Sequence, residues 1–444
     1  MKQSTKFAAF LALALVWAEP LPAQSFPLTQ AELADSAALA RSMPRLAEQV
    51  LAGYEERDSL KLLDNLFRLQ SVAGHYQDAL RSLAALQKLQ ASSPAARPQD
   101  RARNIPYMIY AKAKASEPSG AALSTAFHQT FDTLDLETSA LAIRPMRAGT
   151  AGFERSLRQA IQAREDTSSV SLAEALALIR AYHVVQTYRH LGSSVLPLIA
   201  EDDRKRYIIE NDIAVPTGDG GTVCAMVVRP RSTPGKLPAL LEFTIYADSV
   251  TMLGNARRTA SHGYVGVAGL SRGKGCSADS IAPYRHEALD IPALINWIAA
   301  QRWSDGRVGM FGGSYSGFTA WAATKRMPKA LKAIMVGAPV APGLDVPMEG
   351  NISVNFVYAW PLYAAYSKGL DAVASNDFKR WYRLNREWYV SGRAYRELDQ
   401  IDGTPNPVFD DWLRHPSYDS YWQAVIPYQK EFARINIPVL QTAG

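Results

Sequence analysis

Val308-Gly309-Met310-Phe311-Gly312-Gly313-Ser314-Tyr315-Ser316-Gly317-Phe318 decides how the chain reads. Apolar, β-compatible residues run into glycines and then a serine, and Thr319-Ala320-Trp321-Ala322-Ala323-Thr324-Lys325 continues as a helix. The order is strand, sharp turn, helix, with Ser314 at the tip, which is the geometry of a nucleophile elbow. A serine placed there stands clear of the sheet at a helix start, where backbone amides can hold a developing oxyanion. Small residues on either side let the turn close. The spacing is Gly-x-Ser-Tyr-x-Gly, with one more residue before the last glycine than in Gly-x-Ser-x-Gly. An incidental serine in a glycine-rich turn is the competing reading, so the flanking sequence has to arbitrate.

Working outward, Tyr207 to Val215 alternates like a strand, Pro216-Thr217-Gly218-Asp219-Gly220-Gly221 is a turn, and Thr222 to Val228 is a second strand, so a hairpin is expected. Pro238 to Tyr246 and Tyr264 to Ala268 read as further strands, Glu287 to Ala300 as a helix, and Leu331 to Val336 as the strand after the elbow. Strands alternating with helices predict an α/β fold with a mostly parallel sheet covered on both faces. From 344 to 433 the pattern breaks into an aromatic-rich stretch holding Trp360, Trp381, Trp388, Trp412 and Trp422, which reads as an inserted helical lid. Ile435 to Gly444 begins another core strand.

Residues 24–200 read as an all-helical N-terminal domain. Leu60, Leu62, Leu63, Leu66 and Leu69, then Ala79, Leu80, Leu83, Leu86 and Leu89, are spaced as helix faces. Ser171 with Glu174 forms a capping pattern. Ser92 to Arg103 and Ala115 to Ala121 read as Ser/Pro/Ala-rich connections. Gly74-His75-Tyr76-Gln77-Asp78-Ala79-Leu80 has a tetratricopeptide flavour, but no second copy follows at the required period, so it reads as an ordinary helical hairpin. His75, His128, His183 and His190 read as surface or packing residues rather than ligands.

With 444 residues the chain is too long for one simple core. Residues 1–23 have the form of a Sec signal peptide. Lys2 and Lys6 make a charged start, Phe7 to Ala18 an apolar run too short to span a bilayer, and Ala23 a cleavage site. Removing Lys2, Lys6 and Glu19 lowers the formal charge from +6 to +5. The expected address is secreted or periplasmic, in a bacterium, with no membrane partner after signal removal. Basic residues are scattered, which argues against a nucleic-acid partner. The two cysteines, Cys224 and Cys276, could pair in an oxidising compartment, but nothing in the sequence brings them together. No metal-ligand spacing and no cofactor motif is present. The sequence permits a homo-oligomer without specifying one.

Residues 207–444 resemble the Xaa-Pro dipeptidyl-peptidase-like hydrolases, which include bacterial cocaine esterase, glutaryl-cephalosporin acylases and α-amino-acid ester hydrolases. The resemblance is carried by His262-Gly263-Tyr264-Val265, by Ser271-Arg272-Gly273-Lys274-Gly275-Cys276-Ser277, by Glu287-Ala288-Leu289-Asp290, and by the run Asn296 to Gly309 with its Trp303-Ser304-Asp305-Gly306. Gly312-Gly313-Ser314-Tyr315-Ser316-Gly317 then fits the family's own Gly-x-Ser-Tyr-x-Gly, so the irregular elbow becomes a family mark. The resemblance implies an α/β-hydrolase domain over 207–444 with a lid at 344–433, and an acyl esterase, acylase or Xaa-Pro peptidase acting on a small-molecule ester, amide or short peptide. It makes Ser314 the nucleophile and the Tyr315 backbone N–H one oxyanion donor. It makes Tyr246, where the family has a Pro-Tyr pair and this chain has Ile245-Tyr246, the side-chain donor.

A serine hydroxyl needs a base, normally a histidine held by an aspartate. The fold's order is Ser, Asp, His, and the resemblance sets both partners after the strand at Ile437, beyond Gly444, so the domain is expected to be incomplete at its C-terminus. An internal alternative pairs Asp345 with His415. His262 and His286 precede the serine. No carboxylate directly follows Ser314, which weakly disfavours an α-amino substrate, although Asp345, Glu349 or Glu387 could supply an anion from the lid. The reading from a different class is a helical partner-binding protein carrying an inactive hydrolase domain.

Overall fold

The computed structural model describes residues 25–93, 97–116, 122–147, 149–164 and 168–443. The leader-like residues 1–23 lie outside the described residues. The chain forms two compact units. One comprises residues up to Thr130 together with Ala148–Ser193, and the other comprises Phe131–Arg147 together with Ser194–Gly444.

The first unit is helical. Helices Ser36–Leu51, Ser59–Ala73, Ala151–Gln162 and Leu172–Leu191 bury Met43, Leu46, Val50, Leu69, Leu157, Leu178, Ile179 and Val185 in one core, and Tyr76–Ala91 and Pro98–Ala115 bury Leu83, Leu86 and Tyr107 with Phe67 in a second. Gly74, at φ 89°, ends Ser59–Ala73 and lets the chain turn directly into the next helix, as expected of a helical hairpin. Ser171 and Glu174 cap each other: the Ser171 N–H donates to Glu174 Oε2 at 2.8 Å and the Glu174 N–H to Ser171 Oγ at 3.3 Å. Two departures from the sequence reading occur. Pro98 opens a helix inside a stretch read as a connection, because its ring suits a first helical position. Ser25–Pro27 also pairs with Ser169–Ser171 as a short antiparallel ribbon. His183 is buried with its ring stacked on Tyr107, and burial pushes its pKa well down, so it packs as a neutral ring.

The second unit is a seven-stranded sheet. Its strands are β1 (Tyr207–Pro216), β2 (Thr222–Pro230), β3 (Leu237–Thr244), β4 (Val265–Leu270), β5 (Ser304–Ser314), β6 (Leu331–Pro339) and β7 (Val439–Thr442). Their spatial order is β1-β2-β4-β3-β5-β6-β7. β1 and β2 form the expected antiparallel hairpin, β2 also runs antiparallel to β4, and all later pairings are parallel. Period-2 alternation assigns the two faces. Cys224, Met226 and Val228 of β2 pack with Met252, Ala256 and Ala260 of the helix Ser249–Ser261. Val223, Ala225 and Val227 face the other way, into the core that holds Ile291, Leu294 and Ile298 of the helix Glu287–Ala300. β4 is buried along its whole length, as a central strand covered on both faces should be.

Between β6 and β7 lies the lid. Its helices include Ala359–Ala364, Phe378–Ser391, Leu398–Asp402 and Pro407–Leu413, and a two-residue pairing of Met348–Glu349 with Ile352–Ser353 interrupts the helical pattern. Trp360, Phe409, Trp412 and Trp422 are buried, whereas Phe378 and Tyr389 are exposed. Among the described residues no helix is long and apolar enough to cross a membrane.

Candidate active site

The elbow is built by close approach. A Cβ on Gly312 would lie 2.4 Å from Ser316 Cβ, and one on Gly317 would lie 3.0 Å from Pro339 Cα, so neither position accepts a larger side chain without moving backbone. Ser314 ends β5 and stands at the N-cap position of the helix Tyr315–Thr324 with φ 53° and ψ −120°, its side chain making no capping hydrogen bond. A non-glycine residue in that region costs about 1–3 kcal/mol and persists only where its surroundings enforce it. The result is an exposed serine at a helix start. Thr319 Oγ1 donates to Phe243 O at 2.8 Å, locking this helix to the strand that leads into Tyr246.

Ser314 opens into a cleft of ≈ 140 Å³ that it shares with Tyr246, Tyr284, Tyr315, Val340, Val346, Phe356, Val357, Trp360, Tyr363 and Trp412. The structure therefore brings Ser314, Tyr315 and Tyr246 to one place. Burial raises the Tyr246 phenol pKa, so the group keeps its proton at neutral pH. The Trp360 indole N–H donates to the Tyr246 hydroxyl oxygen at 2.8 Å. A second cavity of ≈ 500 Å³, lined from the lid by residues that include Tyr358, Phe378, Trp381 and Leu384, shares Phe356 and Tyr363 with the first. Among the described residues no charged side chain lines either cavity.

Behind the elbow sits a buried carboxyl. The Tyr315 hydroxyl donates to Glu287 Oε1, and Ser271 Oγ donates to the same oxygen at 3.2 Å, while Oε2 has no hydrogen-bond partner among the described residues. Burial pushes the Glu287 pKa up to about 7. One turn along its helix, Asp290 pairs with Arg272, which also reaches Asp219 at 2.8 Å and Thr217 Oγ1 at 3.0 Å. Lys274 is fully buried, with its pKa lowered to about 8 by burial, and donates to the carbonyls of Ala364, Ser367 and Gly369 at 2.6–2.8 Å. Cys276, in the same loop, is joined to Cys224 of β2 by a disulfide. That pairing was not readable from the sequence, because strand and loop meet only through the sheet.

The internal triad is not assembled. Asp345 accepts the Ala341 N–H at 2.8 Å, and His415 Nδ1 bonds Asp419 Oδ2 at 2.8 Å while its ring stacks on Tyr421. His262 lies 3.7 Å from Glu137, and His286 precedes the helix Glu287–Ala300, where burial lowers its pKa. Among the described residues no histidine hydrogen-bonds Ser314. Of the carboxylates considered as lid anions, none lines the cleft. Sequence reasoning missed Tyr284 as a cleft wall, because it precedes the lid and belongs to no motif. For Trp360 the signal was the aromatic richness of the lid, which does not separate cleft from core.

A sheet in this strand order, with a strained serine between the fifth strand and its helix, defines an α/β-hydrolase. Residues 219–444 match the family model described as X-Pro dipeptidyl-peptidase (S15 family), and the chain belongs to that family. A curated relative is the cocaine esterase of Rhodococcus sp. (strain MB1 Bresler), 28% identical over 258 residues that cover 54% of this chain and 44% of that protein. The chain thus spans less than half the length of this relative. Similar solved structures include an α-amino acid ester hydrolase (22% identity, TM-score 0.43, covering 53% of this chain and 42% of that one). A CocE/NonD family hydrolase from Staphylococcus aureus is another (21% identity, TM-score 0.37, covering 52% and 40%).

Proposed function

We propose that the protein is a serine hydrolase that cleaves an ester or amide acyl bond through an acyl-enzyme, with Ser314 as nucleophile. The observation that carries this reading is the strained backbone of Ser314, which presents an exposed hydroxyl at a helix start in the cleft that also holds Tyr246. Attack by Oγ on the acyl carbon breaks the carbonyl π bond and places negative charge on its oxygen. The Tyr315 N–H, at the first position of the helix, and the neutral Tyr246 hydroxyl are the two donors for that charge. The Oγ proton passes to the base during attack; collapse of the intermediate returns it to the departing alcohol or amine and leaves an ester on Ser314, which water, giving its own proton to the same base, then cleaves by the same path. In this reading the base and its orienting carboxylate follow β7 in the chain, in the order Ser, Asp, His.

The uncharged walls favour a neutral, compact acyl group, which places an acyl esterase or acylase ahead of an Xaa-Pro peptidase, whose substrate carries a free ammonium. A secreted or periplasmic location is part of the proposal. The Cys224–Cys276 disulfide and the leader-like residues 1–23 support it. A fluorophosphonate probe is expected to label the full-length protein at Ser314, and Ser314→Ala to abolish labelling. Persistent labelling of Ser314→Ala would sink the assignment. A panel comparing short-chain esters with Ala-Pro-anilide then separates esterase from peptidase.

A further inference from the structure

We infer that Trp360 is a positioning residue for Tyr246, and that through it the first lid helix sets the direction in which Tyr246 donates its proton. The inference rests on the reading of Tyr246 as an oxyanion donor. An indole N–H can only donate, so in the 2.8 Å contact between Trp360 Nε1 and the Tyr246 hydroxyl the phenol oxygen is the acceptor. A phenol O–H prefers the ring plane, where it has two directions. With the indole N–H on one side of the oxygen, the hydroxyl proton turns to the other. Among the described residues the Tyr246 hydroxyl has no second hydrogen-bond partner, and the cleft it lines holds Ser314. The proton is therefore kept for a ligand atom.

Trp360 is itself held. It is 5% exposed and its ring lies nearly parallel to those of Tyr315 (5.8 Å, 25°) and Tyr284 (6.1 Å, 13°). The indole cannot swing away without unstacking from both. Its donation also polarises the phenol, making the O–H a better donor to an oxyanion. Tyr246 lies just past β3 and Trp360 lies in Ala359–Ala364, so a core element and a lid element meet at one hydrogen bond.

The test is the rate of fluorophosphonate labelling in the full-length protein, read with a thermal melt. Losing one neutral hydrogen bond predicts that Trp360→Phe slows labelling by about 3–10-fold. Losing an oxyanion donor predicts that Tyr246→Phe slows it by about 100-fold. The double variant is expected to label no more slowly than Tyr246→Phe alone, because Trp360 acts only through that hydroxyl. Replacing the Trp360 indole by benzothiophene, which keeps the ring volume and lacks the N–H, is expected to match Trp360→Phe in rate without its loss of melting temperature. Equal slowing by Trp360→Phe whether or not Tyr246→Phe is also present, or wild-type labelling of the benzothiophene variant, overturns the inference. Undiminished labelling of Tyr246→Phe would instead remove the oxyanion reading and the inference with it.

Discussion

Glu287→Gln isolates the electrostatic cost of the carboxyl beneath the elbow. Glu287 is 2% exposed, and burial pushes its pKa from an ordinary 4.5 up to about 7. The folded protein therefore holds this proton to higher pH than the unfolded chain does. Stability from this group is complete below about pH 4.5, falls as pH rises, and is fully lost above about pH 7. The shift corresponds to about 3 kcal/mol between those limits. Glutamine cannot ionise, so the variant lacks this slope. Its amide oxygen can still accept from Tyr315 and Ser271, while its NH₂ replaces an oxygen that has no partner among the described residues. The unmet NH₂ costs a roughly constant amount at every pH, so the sign at any single pH is not diagnostic.

The diagnostic quantity is the difference between variant and parent melting temperatures followed across pH. It is expected to move in favour of the variant by about 6–12 °C between pH 4.5 and pH 8, at roughly 2–4 °C per kcal/mol for a domain of this size. Scanning calorimetry of both proteins from pH 4 to pH 9, resolving the transition of the hydrolase unit, measures it. Parallel curves would refute the account, because they would mean that Glu287 is ionised in the folded protein over the whole range or that its burial carries no cost.

Three other outcomes follow from the same geometry. Gly312→Ala places a Cβ 2.4 Å from Ser316 Cβ, and overpacking of this kind is expected to cost about 1–3 kcal/mol and to slow phosphonate labelling of Ser314, which a melt and a labelling time course would show. Lys274→Met strips the donor from three lid carbonyls. Since each buried unmet acceptor costs about 1–3 kcal/mol, it is expected to increase protease cleavage near residues 364–369 before the sheet unfolds. Replacing both Cys224 and Cys276 by alanine opens a link across 52 residues and is expected to destabilise the unit by about 2–4 kcal/mol, whereas an unchanged melting temperature with and without reductant would show that the link contributes nothing.

What the sequence discloses follows from the range of the interactions involved. β2, β4 and the elbow are legible because alternation, β-branched runs and glycine spacing are local signals. The helix Glu287–Ala300 is legible at both ends. The hydrogen bond from Trp360 to Tyr246 spans 114 positions and joins lid to core, so no window along the chain contains it. The disulfide joins the second strand to a loop after the fourth, and only the antiparallel pairing of β2 with β4 brings them together. The Trp residues of the lid illustrate the same limit. Trp360 and Trp412 line the cleft and Trp422 fills the core behind it, yet all three sit in equally aromatic surroundings in the sequence.

The contrast between a neutral cleft and the charged bonds around it has a physical rationale. The walls of the cleft come from segments far apart in the chain, and apolar contacts alone would let them slide by fractions of an ångström. The Ser271–Ser277 loop supplies direction instead. Its first amide bonds Thr244 O at 2.9 Å at the end of β3, Arg272 pairs with Asp290 on the helix below, Lys274 grips the lid, and Cys276 is fixed to β2. Only one of these four bonds is an ion pair, and a buried ion pair stabilises little after desolvation. Three of the four bonds end on an element that carries or adjoins a cleft residue: Tyr246 after β3, Tyr315 against Glu287, and Trp360 at the start of the lid helix. The fourth ties the loop to the sheet. The loop thus holds the positions of the two candidate oxyanion donors relative to Ser314 without placing a charge where the acyl group would sit.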